Sequence, residues 1–239
     1  MSIFRVVFGV ALMLAAIYWL FMSAYSQIFG MYPYRGKTRK KVIALTFDDG
    51  PNEPYTTELA DFLQSKHIRA TFFQIGVCVL RAQAVTQRLY KDGHVIANHS
   101  LNHEFRNYFI SLSFKEQITA TQDIIEKTIG KRPALYRSPW LWRQPWLLRT
   151  LKKYQLQPVS GEFCHNLEVA RISPERIARG ALRKARPGAI IIFHDGVESR
   201  VGDRANTVAA VKLTVEELLN RGYKFVTVDE LLSVPAYQN

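Results

Sequence analysis

Apolar runs of strand type alternate with helix-like stretches along the chain after residue 41, and this alternation restricts the fold more than any other feature. The predicted strands are residues 42–47, 70–75, 95–97, 135–136, 157–160, 189–193 and 224–228. The predicted helices are residues 55–66, 82–91, 114–129, 144–154, 174–184 and 206–220. Because most of these strands are apolar throughout, they should be buried on both faces. The pattern predicts an α/β domain with parallel strands, either a doubly wound sheet or a (β/α) barrel.

The N-terminus is apolar over a length that suits a membrane span. No charged residue occurs between Val6 and Tyr34, and residues 6–29 are apolar enough to cross a bilayer as a helix. A cleaved signal peptide is the alternative, because small residues occur within the run: Ala15, Ala16, Ser23 and Ala24. The run is long for a signal sequence and continues past these residues. We therefore interpret it as one N-terminal transmembrane helix.

These features divide the chain into four segments. Residues 1–31 are the predicted transmembrane anchor and residues 32–41 a basic linker. Residues 42–234 are a single folded domain, and residues 235–239 are a tail. A domain of about 200 residues is long enough to bury a full core.

Charge is distributed unevenly around the predicted anchor. Only Arg5 precedes it, whereas five cations follow in the linker: Arg35, Lys37, Arg39, Lys40 and Lys41. Since the basic flank normally stays in the cytoplasm, this asymmetry favours a domain on the cytoplasmic face of the membrane. Cys78 and Cys164 match no disulfide or metal pattern, and free thiols agree with a reducing compartment. The net charge of +12 attracts anionic partners, but the cations are spread along the chain and no nucleic-acid motif accompanies them.

Side chains able to do chemistry follow the ends of four predicted strands: Asp48, Asp49, His99, Arg137 and His194. In a β/α barrel, active sites are built at the C-terminal ends of the strands. Four separate strands that end this way are hard to explain by solubilising loop residues. The sequence therefore predicts an active site at that edge of the sheet.

Two of these strand ends carry potential metal ligands. Of the neighbouring carboxylates Asp48 and Asp49, one can bind metal and the other can move protons, and the residues alone leave open which does which; a turn with a helix cap is the alternative. His99 and His103 are four residues apart, so on a helical turn they would project from one face towards a single ion. The zinc-protease motif is absent, because Ser100 stands where that motif needs its glutamate.

The other two strand ends suit proton transfer and charge pairing. His194 directly follows an apolar strand, where a histidine of near-neutral pKa can serve as a general acid. The alternative is a histidine that only hydrogen-bonds Asp195 or the loop backbone. Arg137 can form an ion pair with the spare carboxylate and hold it ionised; otherwise it is a basic residue of the rim.

From about residue 41 to residue 232 the sequence resembles the polysaccharide deacetylase family, also called the NodB-homology domain or carbohydrate esterase family 4. The matching motifs are TFDDGP at residues 46–51, HSLNH at residues 99–103, and ATFF at residues 70–73 with Gly76. The resemblance implies a distorted (β/α) barrel. It also implies roles for the strand-end residues: Asp48 as the catalytic base, Asp49, His99 and His103 as metal ligands, Arg137 as the residue that orients the base, and His194 as the acid.

Two departures from the family pattern concern the sugar pocket. After the arginine the family usually has a Pro-aromatic-Gly turn, whereas here the glycine is missing and a second tryptophan, Trp142, is added. The Asp-Trp motif expected near the fifth strand is also missing, and Gly161-Glu162-Phe163 stands roughly in its place. We interpret Glu162 as the partner of the acid and Phe163 as a pocket wall. The residues predicted to bind substrate are Pro139, Trp140, Glu162 and Phe163.

The resemblance implies a metal-dependent hydrolase that removes an N-acyl group, expected to be acetyl, from an amino sugar of a polysaccharide or lipid-linked glycan. One divalent ion is expected, zinc first, with cobalt or nickel as alternatives. A linker of about ten residues reaches at most about 35 Å, which favours a polyprenyl-phosphate-linked sugar near the bilayer. The alternative is a non-catalytic carbohydrate or lipid-head-group binder, whose signature would be loss of a ligand, base or acid. No protein partner can be inferred from the sequence.

Overall fold

The computed structural model of the chain describes residues 3–109, 111–170 and 172–238. Met1, Ser2 and Asn239, which belong to the predicted anchor and tail, lie outside these ranges. The helices are α1 Ile3–Met22, α2 Tyr55–Ser65, α3 Gly76–Arg81, α4 Gln83–Lys91, α5 Ser111–Ile129, α6 Leu147–Lys153, α7 Pro174–Lys184, α8 Ala205–Asn220 and α9 Val228–Leu232. The strands are β1 Val42–Asp48, β2 Thr71–Gln74, β3 Val95–Asn98, β4 Leu135–Tyr136, β5 Gln157–Pro158, β6 Glu162–Phe163, β7 Ile190–His194 and β8 Lys224–Phe225. Short 3-10 helices cover Phe105–Tyr108, Pro139–Leu141 and Glu168–Ala170.

The strands form one parallel sheet in the order β5-β4-β3-β2-β1-β7-β6, and β8 pairs with the first residues of β1. β1 is central, and its last residue, Asp48, pairs with Phe73 of β2 and His194 of β7. No ladder joins β5 to β6 in the part of the chain that the structure describes, so the sheet is a half-barrel with an opening between these strands. The predicted distorted (β/α) barrel is confirmed.

Alternation along the strands decides which side chains face the site. In β1, Ile43, Leu45 and Phe47 pack in the core between the sheet and the helices. Ala44 packs in a separate cluster on the other face, the inside of the half-barrel. Because strand side chains alternate with a period of two, Thr46 and Asp48 also point to that inner face. The apolar run that predicted β1 therefore aims its terminal carboxylate into the half-barrel.

Some elements differ from the sequence predictions. Two elements were not predicted. The helix α3 is too short to show a helical periodicity in the sequence, and the strand β6 has only two residues, one of them charged. The strand predicted at residues 157–160 ends at Pro158. The backbone N–H of Ser160 donates to Pro33 O at 2.7 Å, outside the sheet. The strand predicted at residues 224–228 ends at Phe225, because Thr227 forms a capping box that begins α9.

Within the described residues, α1 is the single helix that is long and apolar enough to cross a membrane, with a mean hydropathy of 2.2 and no buried residues. An N-terminal signal sequence has the same properties. The helix ends at Met22 and does not continue to residue 29, because the chain turns there and packs against the domain. Residues 23–36, which we call the strap, lie along the domain, and the strap ends where Gly36 N bonds to Gly188 O at 2.8 Å. The predicted linker is thus partly ordered on the domain.

Candidate active site

Asp48 is held by a buried arginine that crosses the inner face of the half-barrel. Arg137 Nη1 donates to Asp48 Oδ1 at 2.6 Å and to Thr46 Oγ1 at 2.8 Å, and Nη2 donates to Ser160 O at 3.1 Å. The guanidinium is fully buried and lies 4.0 Å from the ring centroid of Phe73. Burial lowers the pKa of Arg137, and the carboxylate of Asp48 opposes this shift. Arg137 engages Oδ1 of Asp48, which leaves Oδ2 for chemistry.

Asp49 lies beside the two histidines and suits a metal ligand. Its Oδ1 is 3.4 Å from His99 Nε2 and 3.3 Å from His103 Nε2, and this buried oxygen has no hydrogen-bond partner. Ligands of a tetrahedral zinc, at about 2.0–2.2 Å from the ion, lie about 3.3–3.6 Å from one another. The spacing and the unpaired oxygen both fit one small divalent cation. Burial would raise the pKa of Asp49, but His103, His99 and His194 hold that pKa well below its usual range.

The two histidines come together in a loop, and the predicted helical turn is wrong. Residues 99–103 follow β3 without helical structure, and Ser100 and His103 adopt left-handed backbone with φ of 72° and 56°. Asn98 Oδ1 accepts the Ser100 N–H at 2.9 Å, and Gln117 Oε1 accepts the Leu101 N–H at 3.0 Å. Side chains from β3 and α5 therefore fix a loop that the spacing of four residues did not reveal.

Nε2 of each imidazole lies next to Asp49 Oδ1, where a cation could bind both rings. Nδ1 of His99 lies 2.8 Å from the carbonyl oxygen of Arg137, an acceptor that keeps the proton on Nδ1 and leaves Nε2 free. Burial lowers the pKa of His103 to about 4, although Asp49 opposes the shift. A neutral imidazole is the form that binds metal.

His194, the last residue of β7, is paired with Glu168. Its Nδ1 lies 2.7 Å from Glu168 Oε2, and its backbone N–H donates to Glu168 Oε1 at 3.0 Å. Glu168 is buried, and Oε1 also accepts the Thr207 hydroxyl at 2.9 Å. Burial would lower the pKa of His194, but Glu168, with Asp49 and Asp48, raises it to about 9. The carboxylate of Glu168 therefore favours the protonated form of His194, the form that can donate a proton.

These groups face one cavity of about 670 Å³. A volume of several hundred Å³ is usual for a site that takes a small ligand. The side chains from the sheet edge that line it are Asp48, Asp49, His99, His103 and His194. Trp140 and Phe163 also line it, and the Phe163 ring stacks on His194 with centroids 5.9 Å apart and planes 9° apart. Arg137 lies beneath the cavity floor, behind Asp48.

Two of the predicted substrate-binding residues do not reach the cavity lining. Pro139 is buried within its 3-10 helix. Glu162 and Phe163 are consecutive in β6 and point to opposite faces, so only Phe163 faces the cavity. The Glu162 carboxylate instead accepts the hydroxyl of Tyr25 and lies 2.8 Å from Arg186 Nη2. The partner of His194 is thus Glu168, and the interpretation of Glu162 as that partner was wrong.

Glu168 was missed because it belongs to no motif. It lies in a 3-10 helix five residues after Phe163, between Leu167 and Val169. The one available signal was a single acid flanked by apolar residues. Leu167 and Val169 are 51% and 58% exposed, whereas Glu168 is buried, so the usual relation of polarity to exposure is reversed here.

Leu141 stands where the family's Pro-aromatic-Gly turn has its glycine, and the backbone there keeps a left-handed conformation of the kind that glycine favours. Trp140 and Leu141 have φ of 52° and 55°, in the left-handed region. A side chain in that region costs about 1 kcal/mol relative to glycine. Asp49 is left-handed as well, with φ of 75°. Backbone strain of this kind is typical of functional sites.

The comparisons with known proteins agree with this geometry. The family described as polysaccharide deacetylase matches residues 35–159. A peptidoglycan-N-acetylglucosamine deacetylase of Bacillus cereus is 33% identical over 204 residues, which cover 85% of this chain and 93% of that protein. A chitooligosaccharide deacetylase of Azorhizobium caulinodans is 32% identical over 190 residues, covering 76% of this chain and 90% of that protein. A crystal structure of a peptidoglycan N-acetylglucosamine deacetylase, in complex with a naphthalenyl N-oxidanyl-benzamide, has a TM-score of 0.80 and 25% identity and covers 87% of this chain and 95% of that one.

Proposed function

This chain belongs to the polysaccharide deacetylase family, and from that premise we propose that it removes the N-acetyl group from an N-acetylglucosamine unit of a glycan. The relatives are named as deacetylases of peptidoglycan N-acetylglucosamine and of chitooligosaccharides. The observation that carries the proposal is the convergence of two distinct groups on one cavity: Asp49 with two histidines, and Asp48 beside His194 at the ends of the adjacent strands β1 and β7. Hydrolysis of an amide needs both a base for water and an acid for the leaving amine.

We infer that the cofactor is one divalent cation, zinc in preference to cobalt or nickel, held by Asp49, His99 and His103. A carboxylate and two imidazoles are a donor set that zinc commonly takes, and three protein ligands leave a position open. When bound, such a cation supplies Lewis acidity towards the acyl carbonyl and the attacking water.

The residues of the chain then divide the proton transfers. Asp48 accepts a proton from water as the water oxygen adds to the acetyl carbon, and Arg137, paired with Asp48 at 2.6 Å, orients the carboxylate. His194 gives its proton to the amine nitrogen as the carbon–nitrogen bond breaks, and Glu168 stabilises the imidazolium beforehand. The products are acetate and a free amino sugar. A non-catalytic binder would need none of these four residues in these positions.

The activity test uses the purified full-length chain. We expect release of acetate from N-acetylglucosamine oligosaccharides, loss of this activity with a chelator, and recovery when zinc is added back. Acetate release and free amine should appear in a ratio of one to one, because hydrolysis of one amide yields one of each. Activity that persists after complete removal of metal, verified by elemental analysis, would contradict the cofactor proposal while leaving the hydrolase proposal standing.

We further propose that α1 anchors the chain as a single-pass membrane protein with its domain on the cytoplasmic side. The five cations of residues 35–41 outnumber the single Arg5 on the other flank, and this imbalance acts on the chain during insertion. Deacetylation of a cell-wall polymer would require the opposite side. The two sides therefore correspond to different substrates.

Fusions after Asn239 in a bacterial host test the topology. With the domain in the cytoplasm, green fluorescent protein should fluoresce and alkaline phosphatase should be inactive. As a matched control, five substitutions of the residue 35–41 cations by glutamine should weaken or reverse that pattern. An active phosphatase with a dark fluorescent protein in the unmodified chain would place the domain outside.

A further inference from the structure

The end of the anchor helix forms part of the cavity wall. Tyr18 and Met22, one helical turn apart in α1, line the same cavity as Asp48 and His194. Residues spaced by four on a helix share one face, so this face of the last turn looks into the site. Val169 and Val201, which are more than half exposed, also line the cavity. An apolar mouth thus adjoins a polar catalytic floor.

A buried arginine fixes the helix end in this position. Arg143 Nη1 donates to Ser23 O at 2.5 Å and to Leu141 O at 2.9 Å, while Nη2 donates to Ala24 O at 3.3 Å and to Ser160 Oγ at 2.9 Å. Its backbone N–H donates to Phe21 O at 2.8 Å. A cation at a helix C-terminus is stabilised by the free carbonyls there. Since Arg143 is 1% exposed, these contacts are shielded from competing water.

The additional tryptophan that departs from the family pattern receives the helix. Phe21 stacks on Trp142 with ring centroids 5.2 Å apart. Trp142 packs against Phe105 at 4.9 Å, Phe105 against Trp140 at 5.2 Å, and Trp140 against His103 at 4.3 Å. An unbroken series of aromatic contacts therefore connects α1 to a candidate metal ligand. The contact with Phe21 of α1 gives a structural reason for the additional tryptophan at position 142.

The strap then covers the opening of the half-barrel. Pro33 O accepts the Ser160 N–H at 2.7 Å, and the Ser160 hydroxyl donates to Ala24 O at 3.0 Å, in the connection between β5 and β6. On the β6 side, Tyr25 donates its hydroxyl to Glu162. The strap therefore contacts the connection between β5 and β6 through Ser160 and the side chain of Glu162 in β6. The catalytic domain and the helix end form one packed unit.

We propose that the last turn of α1 is a specificity-determining part of the active site and that it selects an acylated amino sugar carried on a membrane lipid. The inference rests on the proposed deacetylase function. If α1 lies in a bilayer, its C-terminal turn lies at the interface, and the cavity that it lines opens at the depth of lipid head groups. A sugar carried on a lipid arrives at that depth with its apolar carrier beside Tyr18 and Met22, whereas a soluble oligosaccharide offers no apolar group for this wall.

The test uses the full-length protein in lipid nanodiscs with two substrates: N-acetylglucosamine linked through phosphate to a polyprenol in the same disc, and soluble chitooligosaccharide. Tyr18→Ala and Met22→Gln should each raise KM for the lipid-linked substrate about tenfold and leave kcat within about twofold. KM for the soluble substrate should stay within about twofold. Matched controls come from the same helix: Trp19→Ala and Met13→Gln replace exposed residues outside the cavity lining and should match the unmodified protein.

Three outcomes are distinguishable. If Tyr18→Ala and Met22→Gln behave as their controls do, or if the unmodified protein deacetylates only the soluble substrate, the proposal is overturned. If the unmodified protein deacetylates neither substrate, the proposed function itself fails. Thermal melting checks folding; Tyr18 is 54% exposed, so its truncation should leave the melting temperature unchanged, and Tyr18→Phe should restore KM.

Discussion

Replacing Asp48 by asparagine should reduce kcat by about 10²-fold or more and leave the bound metal in place, because in the proposed mechanism Asp48 is the general base and is not a metal ligand. Replacing Asp49 by asparagine should instead remove most of the metal and the activity together. The geometry gives the reason: Asp48 Oδ1 faces Arg137, whereas Asp49 Oδ1 faces the two histidines. Neighbouring carboxylates of the same motif are thereby assigned opposite roles.

Elemental analysis of the purified variants separates the two roles. His99→Ala and His103→Ala should lose metal as Asp49→Asn does, and the exposed-residue variant Asp123→Asn should match the unmodified chain. Asp48→Asn leaves Arg137 buried without its anionic partner, a change that costs about 3–5 kcal/mol when a buried ion pair is broken completely. Activity is therefore compared well below each melting temperature. Full metal in Asp49→Asn with loss of metal in Asp48→Asn would show that the pair has been assigned in reverse.

The strands and the residues at their ends could be predicted because both depend on local sequence. A buried parallel strand needs a continuous apolar run, and parallel strands bring their C-terminal ends to one edge. Asp48, His99 and His194 are therefore placed together by topology alone. The residues alone left the roles of Asp48 and Asp49 open, and only the family resemblance distinguished them; the contact that distinguishes them in the structure comes from Arg137, which directly follows β4, 89 residues further along the chain.

Features that depend on distant contacts could not be predicted. The histidine loop adopts left-handed backbone at Ser100 and His103 because Asn98 and Gln117 bind its amides, and a spacing of four residues suggests a helix in the absence of those contacts. The partner of His194 was predicted wrongly for a similar reason: Glu168, and not Glu162, reaches His194, and no local motif marks Glu168. The packing of residues 23–36 against the domain begins with contacts from Arg143 to Ser23 O and Ala24 O. The sequence around Arg143 gives no sign of these contacts.

The pairing of His194 with Glu168 predicts a large loss of turnover and a shift in its pH dependence. His194→Asn should retain metal and lose about 10²–10⁴-fold in kcat, the usual range for a general acid. Glu168→Gln should have a smaller effect at neutral pH, because the imidazole remains and the glutamine side-chain oxygen can still accept the hydrogen bond that Nδ1–H donates. The glutamine is uncharged, so the main attraction that holds the proton on His194 is lost.

The sign of the pH shift follows from the charges around His194. An acid catalyst works below its pKa, so the alkaline limb of the pH–rate profile marks the loss of its proton. Burial lowers this pKa, and Glu168, Asp49 and Asp48 raise it. Without the charge of Glu168 the alkaline limb should move to lower pH by about one unit or more. A cation bound at Asp49 acts in both proteins, so the difference between the two profiles isolates Glu168.

Glu162→Gln, a change at an equally buried glutamate that pairs with Arg186 and Tyr25, should leave the limb where it is. If Glu168→Gln leaves the limb in place as well, or if the limb moves to higher pH, His194 is not the acid that Glu168 keeps protonated.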